Sequence, residues 1–259
     1  MSGHLNLNDK VSLITGAGSG IGKSISKLFS QRGSTIALVD VDTSSCDQIK
    51  DEIIELGNDC VVIKGDVSTS GGCKEIVDEC EKKFGRIDIL VNSAGVTPRH
   101  APQDWNFEKM WDWVIDVNLK GTVMMSKHVS EVMLKNGYGV ILNLSSIIGL
   151  VGYSEGLSNG FNPYPHSKGG VVQFTKDMAV TFAKSNIRVN ALCPGFTYTQ
   201  LTKSLTDNEK MKKKLESLHP MGRLAMPDEI ANAALFCVSD DASFITGACI
   251  PVDGGYTAQ

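Results

Sequence analysis

The 259 residues are 42% hydrophobic and 21% charged, with 25 basic against 29 acidic side chains and a net charge of −4. That balance is ordinary for a globular chain with a sizeable core. No basic patch stands out and no apolar run approaches the ~20 residues of a membrane span, which argues against nucleic-acid partners and membrane insertion.

The first nine residues, Met1 to Asp9, are polar and carry no signal-peptide core, so a cytoplasmic protein is expected. Cysteines stand at 46, 60, 73, 80, 193, 237 and 249. Their odd number and the absence of a C-x-x-C point to reduced thiols, mostly core filler. Cys73 and Cys80 share a face of one predicted helix, but no further ligands lie nearby, so no metal is expected.

Short β-branched runs alternate with helical patterns along the chain. Strands are predicted at Val11–Thr15, Thr35–Val39, Cys60–Ile63, Ile87–Val91, Gly139–Leu144, Arg188–Leu192 and Ala248–Val252. Helices are predicted at Gly20–Arg32, Ser45–Leu56, Gly71–Phe84, Phe107–Lys135, Tyr164–Lys184 and Pro227–Cys237. The alternation implies an α/β fold, a Rossmann-type doubly wound parallel sheet of about seven strands in three α/β/α layers, within one domain. Such sheets bind ligands beyond the carboxyl ends of their strands.

The first strand runs into Thr15-Gly-Ala-Gly-Ser-Gly-Ile-Gly22 and a helix. Its spacing is Gly16-x-x-x-Gly20-x-Gly22, not the generic G-x-G-x-x-G. Glycines let the backbone turn tightly and approach a pyrophosphate, whose charge sits against the helix N-terminus. Gly16, Ser19, Gly20, Ile21 and Gly22 are therefore candidate cofactor contacts, a ligand-free glycine turn being the alternative. The second strand ends at Asp40, 18 residues after Gly22. A carboxylate there accepts from ribose hydroxyls and repels a 2′-phosphate, which favours NAD over NADP. Asp42 is a near rival. After the third strand, Asp66 is placed to meet the adenine amino group, with Val67 beside it. After the fourth come Asn92-Ser-Ala-Gly95, where Asn92, Ala94 and Gly95 would let a cofactor pass close over the sheet. Either segment also suits plain turn chemistry.

Further on stands Tyr164-Pro-His-Ser-Lys168. A tyrosine and a lysine four apart lie on one helical face. A free phenol ionises near pH ~10, and a cation beside it favours the phenolate. The pair would then hold a proton ready for an alcohol or a carbonyl. Pro165 pushes its predecessor towards extended backbone, so Tyr164 is expected just outside the helix.

Together these motifs resemble the short-chain dehydrogenase/reductase family, of the classical type, from Val11 to Gly255. The glycine loop is similar to its T-G-x-x-x-G-x-G, and Asn92 to Gly95 to its N-N-A-G with Ser93 in place of the second asparagine. The resemblance implies hydride transfer between NAD and a secondary alcohol or ketone. It assigns proton exchange to Tyr164, support of that tyrosine and the nicotinamide ribose to Lys168, and a hydrogen bond to the reacting oxygen to Ser146. It gives Asn118 a water that links Lys168 to solvent. Ser145 is the rival serine. Pro194-Gly195 resembles the family's P-G turn, with Thr197 nearby and Thr199 set to hold the nicotinamide amide. Phe196 to Pro220 corresponds to its substrate lid, and Asp253-Gly254-Gly255 to its C-terminal D-G-G.

Ser146 and Tyr164 stand 18 apart, farther than the family usually has. The extra residues fall in 152–161, expected to wall the substrate pocket. Arg99, His100 and Trp105 could also reach it, Arg99 being suited to a carboxylate or to the surface alike. A carbonyl reductase acting on 3-oxoacyl carrier proteins with NADPH is an alternative, and a non-catalytic NAD sensor a remoter one. The family's habit implies a homotetramer, formed through the long helices Phe107–Lys135 and Tyr164–Lys184 and the last strand.

Overall fold

The computed structural model describes residues 5–158 and 160–259. Met1 to His4, part of the N-terminal reading, and Asn159, in the 152–161 loop, lie outside the described residues. The strands are β1 (Val11–Thr15), β2 (Thr35–Asp40), β3 (Cys60–Lys64), β4 (Ile89–Asn92), β5 (Gly139–Leu144), β6 (Ile187–Pro194) and β7 (Cys249–Val252). The helices are α1 (Gly20–Gln31), α2 (Ser44–Glu55), α3 (Ser70–Phe84), α4 (Phe107–Ile115), α5 (Gly121–Asn136), α6 (Pro163–Phe182), α7 (Lys203–Thr206), α8 (Glu209–Ser217) and α9 (Pro227–Val238).

The strands form one sheet in the order β3-β2-β1-β4-β5-β6-β7, parallel throughout. β1 shows why it is covered on both faces. All five of its residues are buried, and alternate side chains of a strand point to opposite faces. Ile14 packs with Ile25, Phe29, Ile49 and Leu235 of α1, α2 and α9. Leu13 packs with Ile76, Met125 and Val129 of α3 and α5. The chain leaves β1 towards β2 on one side and returns to β4 on the other. The carboxyl ends of β1 and β4 therefore diverge around a crevice, the usual place for a ligand in such sheets.

Two local departures from the sequence reading matter for that crevice. The predicted helix 107–135 is divided by a π-helical turn, Asp116–Lys120, between α4 and α5. Asn118 explains it. Its side chain accepts from Val96 N (2.8 Å) and donates to Val96 O (3.0 Å), and the Thr122 hydroxyl bonds its carbonyl (2.9 Å). The helix opens by one residue to hold the loop after β4. Second, Tyr164 lies inside α6. Asn162 caps that helix, its Oδ1 accepting from Tyr164 N at 3.0 Å. Pro163 and Pro165 occupy the first turn, where backbone N–H groups have no helical partner to lose. Among the described residues, no helix is long and apolar enough to cross a membrane.

Candidate functional site

The crevice is a cleft of about 500 Å³ over the carboxyl ends of the strands. Its dinucleotide side begins at the glycine loop. Gly16 has φ +63°, and a Cβ there would sit 2.8 Å from Ala94 Cα. A Cβ on Gly22 would strike Gly16 O. These two positions admit only glycine without backbone movement. α1 begins with no side-chain cap on its N-terminus and no acidic residue in its first turn. Its first N–H groups thus face the cleft free to receive an anion. Gly16, Ser19, Gly20, Ile21 and Gly22 all line the space, as do Asp40, Asp66 and Val67. Asp40 Oδ2 accepts from Gly18 N (2.9 Å), which fixes its carboxylate against the loop. Asp42 bonds Ser44 N at 3.0 Å instead, and does not line the cleft. The loop, the uncapped helix and the carboxylate fit a pyrophosphate-linked dinucleotide.

At the ends of β4 and β5 the structure separates residues that the sequence grouped. Ala94 and Gly95 line the cleft, but Asn92 does not. It is buried beneath, donating to Ser126 Oγ (3.0 Å) and Asn143 Oδ1 (2.9 Å). Its amide ties β4 to β5 and α5, which corrects its reading as a cofactor contact. Thr15 Oγ1 takes over the turn, accepting from Ser93 N and Ala94 N, both at 3.1 Å. Asn118 is also fully buried behind the lining, its amide donating to Ser167 Oγ (3.1 Å) as well as to Val96.

At the far end stand Ser146, Tyr164 and Lys168. Ser145 and Ser146 both follow β5 rather than lying in it. Ser145 Oγ donates to Lys168 O (2.9 Å), so it braces α6. The Ser146 hydroxyl faces Tyr164 and favours its ionised form. Burial nevertheless pushes the Tyr164 phenol up to about 12, Tyr153 acting in the same direction and Arg99 against it. Tyr164 as a residue is partly exposed, but burial of its phenol dominates its ionisation. Lys168 is 5% exposed, and burial pushes it down to about 8. Its Nζ donates to Leu144 O (2.7 Å) and lies 5.8 Å from the Tyr164 ring centroid. The expectation of a lowered phenol pKa therefore needs correcting: burial outweighs the nearby cations, and Arg99 is one that acts against it.

Pro194, Gly195, Thr197 and Thr199 line the cleft from β6 onward. Thr199 packs against Gly20, so the segment after the Pro-Gly turn rests on the glycine loop. The segment lines the cleft as far as Thr202, just before α7. Lys214 Nζ donates to Glu155 O at 3.0 Å, joining α8 to the 152–161 loop. Within that loop Tyr153 lines the cleft, and the Ser154 and Tyr256 hydroxyls bond at 3.1 Å. Tyr153 and Ile147 are lining residues that the sequence reading did not single out, and Trp113, which it offered for subunit contacts or core, lines the cleft as well. A tyrosine at the start of a Gly- and Ser-rich insertion was the available signal for the first.

Comparison with known proteins agrees with this architecture. A family model described as enoyl-(acyl carrier protein) reductase, of the adh_short_C2 type, matches residues 16–257. A 3-oxoacyl-[acyl-carrier-protein] reductase, FabG, of Thermotoga maritima is 41% identical over 251 residues, 97% of this chain and 99% of that protein. A cis-4-hydroxycyclohexanecarboxylate dehydrogenase of Sinomonas cyclohexanicum is 36% identical over 250 residues, 96% of this chain and 97% of that one. The crystal structure of a short-chain type dehydrogenase/reductase from Mycobacterium marinum superposes with a TM-score of 0.88 at 30% identity, covering 98% of both chains. The chain is therefore an oxidoreductase of the short-chain dehydrogenase/reductase family, of the classical type.

Proposed function

We propose that the protein is an NAD-dependent dehydrogenase of a secondary alcohol, with Tyr164 as its general acid and base. The observation that supports this most is the meeting of the Ser146 and Tyr164 hydroxyls above buried Lys168, at the opposite end of the cleft from Asp40. The bound nicotinamide supplies the hydride chemistry. Gly16, Ser19, Gly20, Ile21 and Gly22 would hold its pyrophosphate, Asp40 and Asp66 its adenosine, and Lys168 and Thr199 its nicotinamide half. Val67, Ala94, Gly95, Pro194, Gly195 and Thr197 would complete the wall.

Near neutral pH the raised phenol pKa keeps a proton on Tyr164 Oη. In reduction that proton passes to the carbonyl oxygen and leaves a phenolate; oxidation runs the reverse, the phenolate taking the alcohol's proton, so it draws on the ionised form of Tyr164. Ser146 donates a hydrogen bond where negative charge gathers on the substrate oxygen. Asn118 positions rather than touches: it locks the Val96 backbone and Ser167, one residue from Lys168.

Asp40 favours NAD, since a 2′-phosphate would meet its carboxylate where that already holds Gly18 N. The identity to a 3-oxoacyl carrier-protein reductase supports a second reading, NADPH-dependent ketone reduction. A screen of cyclic alcohols, polyols and hydroxy acids with NAD and NADP, and of acetoacetyl-coenzyme A with NADH and NADPH, decides between them by the absorbance of reduced cofactor. Turnover of alcohols with NAD, shifted towards NADP by Asp40→Ala, is the expected result. Turnover confined to the acyl thioester with NADPH would contradict it.

A homotetramer is proposed as well, built through α5, α6 and β7. Leu134 on α5 and Val180 on α6 are 46% and 82% exposed, apolar positions that such contacts would cover. The seven free thiols suit a reducing cytoplasm.

A further inference from the structure

The charged groups that line the cleft are sorted by position. Asp40 ends β2 and Asp66 lies just beyond β3. Arg99, His100 and Lys168 lie towards Ser146 and Tyr164. Lys168 is engaged below, with Leu144 O. Arg99 differs from the chain's structural arginines. Arg86 and Arg223 pair with Asp88 and Glu229, and Arg188 holds the carbonyls of Cys237, Val238, Ser239 and Ile245. Among the described residues no carboxylate pairs with Arg99, whose Nη2 makes a long 3.4 Å bond to Leu201 O of the segment after β6. Its backbone is fixed: Thr97, 1% exposed, caps the short turn Pro98–His100 by accepting from Arg99 N at 3.1 Å. The guanidinium faces the Tyr153 and Tyr164 hydroxyls.

We propose that the substrate is a hydroxy acid or its oxo counterpart, whose carboxylate Arg99 receives at the mouth of the cleft while its alcohol carbon lies against Tyr164 and Ser146. This rests on the dehydrogenase reading above. A guanidinium presents two parallel N–H groups to a carboxylate, the pairing it matches best. A monoanion fits better than a phosphate, because a single guanidinium, which also bonds the Tyr153 hydroxyl, stands at this mouth, and burial and Arg99 push the neighbouring His100 imidazole down. Val96, Trp113, Ile147 and Phe196 also line the cleft, so the body between carboxylate and alcohol is apolar rather than a polyol.

The test titrates cyclohexanecarboxylate, cyclohexanecarboxamide and cyclohexyl phosphate calorimetrically into the NAD-saturated protein, wild type and the Arg99→Leu and Arg99→Lys variants. The carboxylate is expected to bind at least about 10-fold tighter than the amide. Arg99→Leu should erase that preference, weakening the carboxylate on the order of 10- to 100-fold, while Arg99→Lys retains part of it. Equal binding of carboxylate and amide by the wild type, or equal weakening of both by Arg99→Leu, overturns the proposal. So does tighter binding of cyclohexyl phosphate than of the carboxylate. Reduction of NAD by cyclohexanol and by 4-hydroxycyclohexanecarboxylate, followed in parallel, separates the two readings. Turnover without carboxylate preference sinks the Arg99 assignment alone. Arg99-dependent carboxylate binding with no alcohol oxidised sinks the dehydrogenase reading.

Discussion

Lys168 is where the chain accepts instability for chemistry. Its ammonium is buried, with one carbonyl as its hydrogen-bond partner, and burial holds its pKa at about 8 against an ordinary 10.5. Between those values the unfolded chain binds a proton that the folded chain has released, so stability rises with pH across that window. Below it the penalty is full. Replacing the amine removes the penalty, so Lys168→Met should stabilise the cofactor-free protein near neutral pH, on the order of 1–3 kcal/mol. The advantage over wild type should shrink as pH is raised from about 8 to about 10. Tyr164, pushed up to about 12, loses stability above its ordinary value of 10 in both proteins, and so cancels from the comparison. Melting temperatures of the two proteins along a pH series check this, and a difference independent of pH would contradict it. Asn92 makes the opposite case, a polar residue that looks functional in the sequence and is structural in the fold. Asn92→Ala leaves Asn143 Oδ1 without its partner and should cost about 1–3 kcal/mol in unfolding free energy. NAD affinity, measured by fluorescence, should change less than about threefold, within about 0.7 kcal/mol.

At the scale of elements, the cleft is walled by pieces that the apolar pattern does not announce. The strands and long helices were legible because their periods are regular and their interiors buried. The glycine loop was legible because its spacing is dictated by sterics: Gly16 and Gly22 each meet backbone where a Cβ would stand. The π turn at Asn118 was not, since it depends on Val96, 22 residues away, whose backbone polar groups have no other claim in the sequence. The helical position of Tyr164 was misjudged for a related reason. The rule for a residue before proline weighs backbone crowding, whereas here the Asn162 cap carries the helix through Pro165. The 152–161 loop was recognised by its length, and its bonds give it a task. Tyr153 faces the cleft, Ser154 bonds Tyr256, and Glu155 O receives Lys214 from α8. Deleting 155–160 should therefore raise KM for the alcohol about tenfold or more while leaving the Kd of NAD within about twofold, since the described residues of this stretch are not among those lining the glycine-loop side of the cleft. Steady-state kinetics with cofactor titration checks it, and matching losses in both constants would contradict it.

For the whole molecule, one sheet organises two unlike jobs. Its β1 to β3 half ends in glycines and carboxylates, and its β4 to β6 half ends in hydroxyls, a buried amine and an exposed guanidinium. A dinucleotide laid across the crevice would meet the first half with its adenosine and the second with its reactive ring. The sequence revealed this division because each motif falls at a strand end. It left open the ionisation of Tyr164, which depends on burial and on Arg99 and Tyr153 from separate loops.

The central claim is that Tyr164 moves the proton. Its most direct test is the turnover number of Tyr164→Phe with the best alcohol of the screen, at saturating NAD, beside the NAD affinity of the same variant. Loss of the hydroxyl should lower kcat on the order of 10²- to 10⁴-fold with cofactor affinity within about twofold of wild type. Turnover within about threefold of wild type, with cofactor still bound, would place the proton elsewhere and contradict the account.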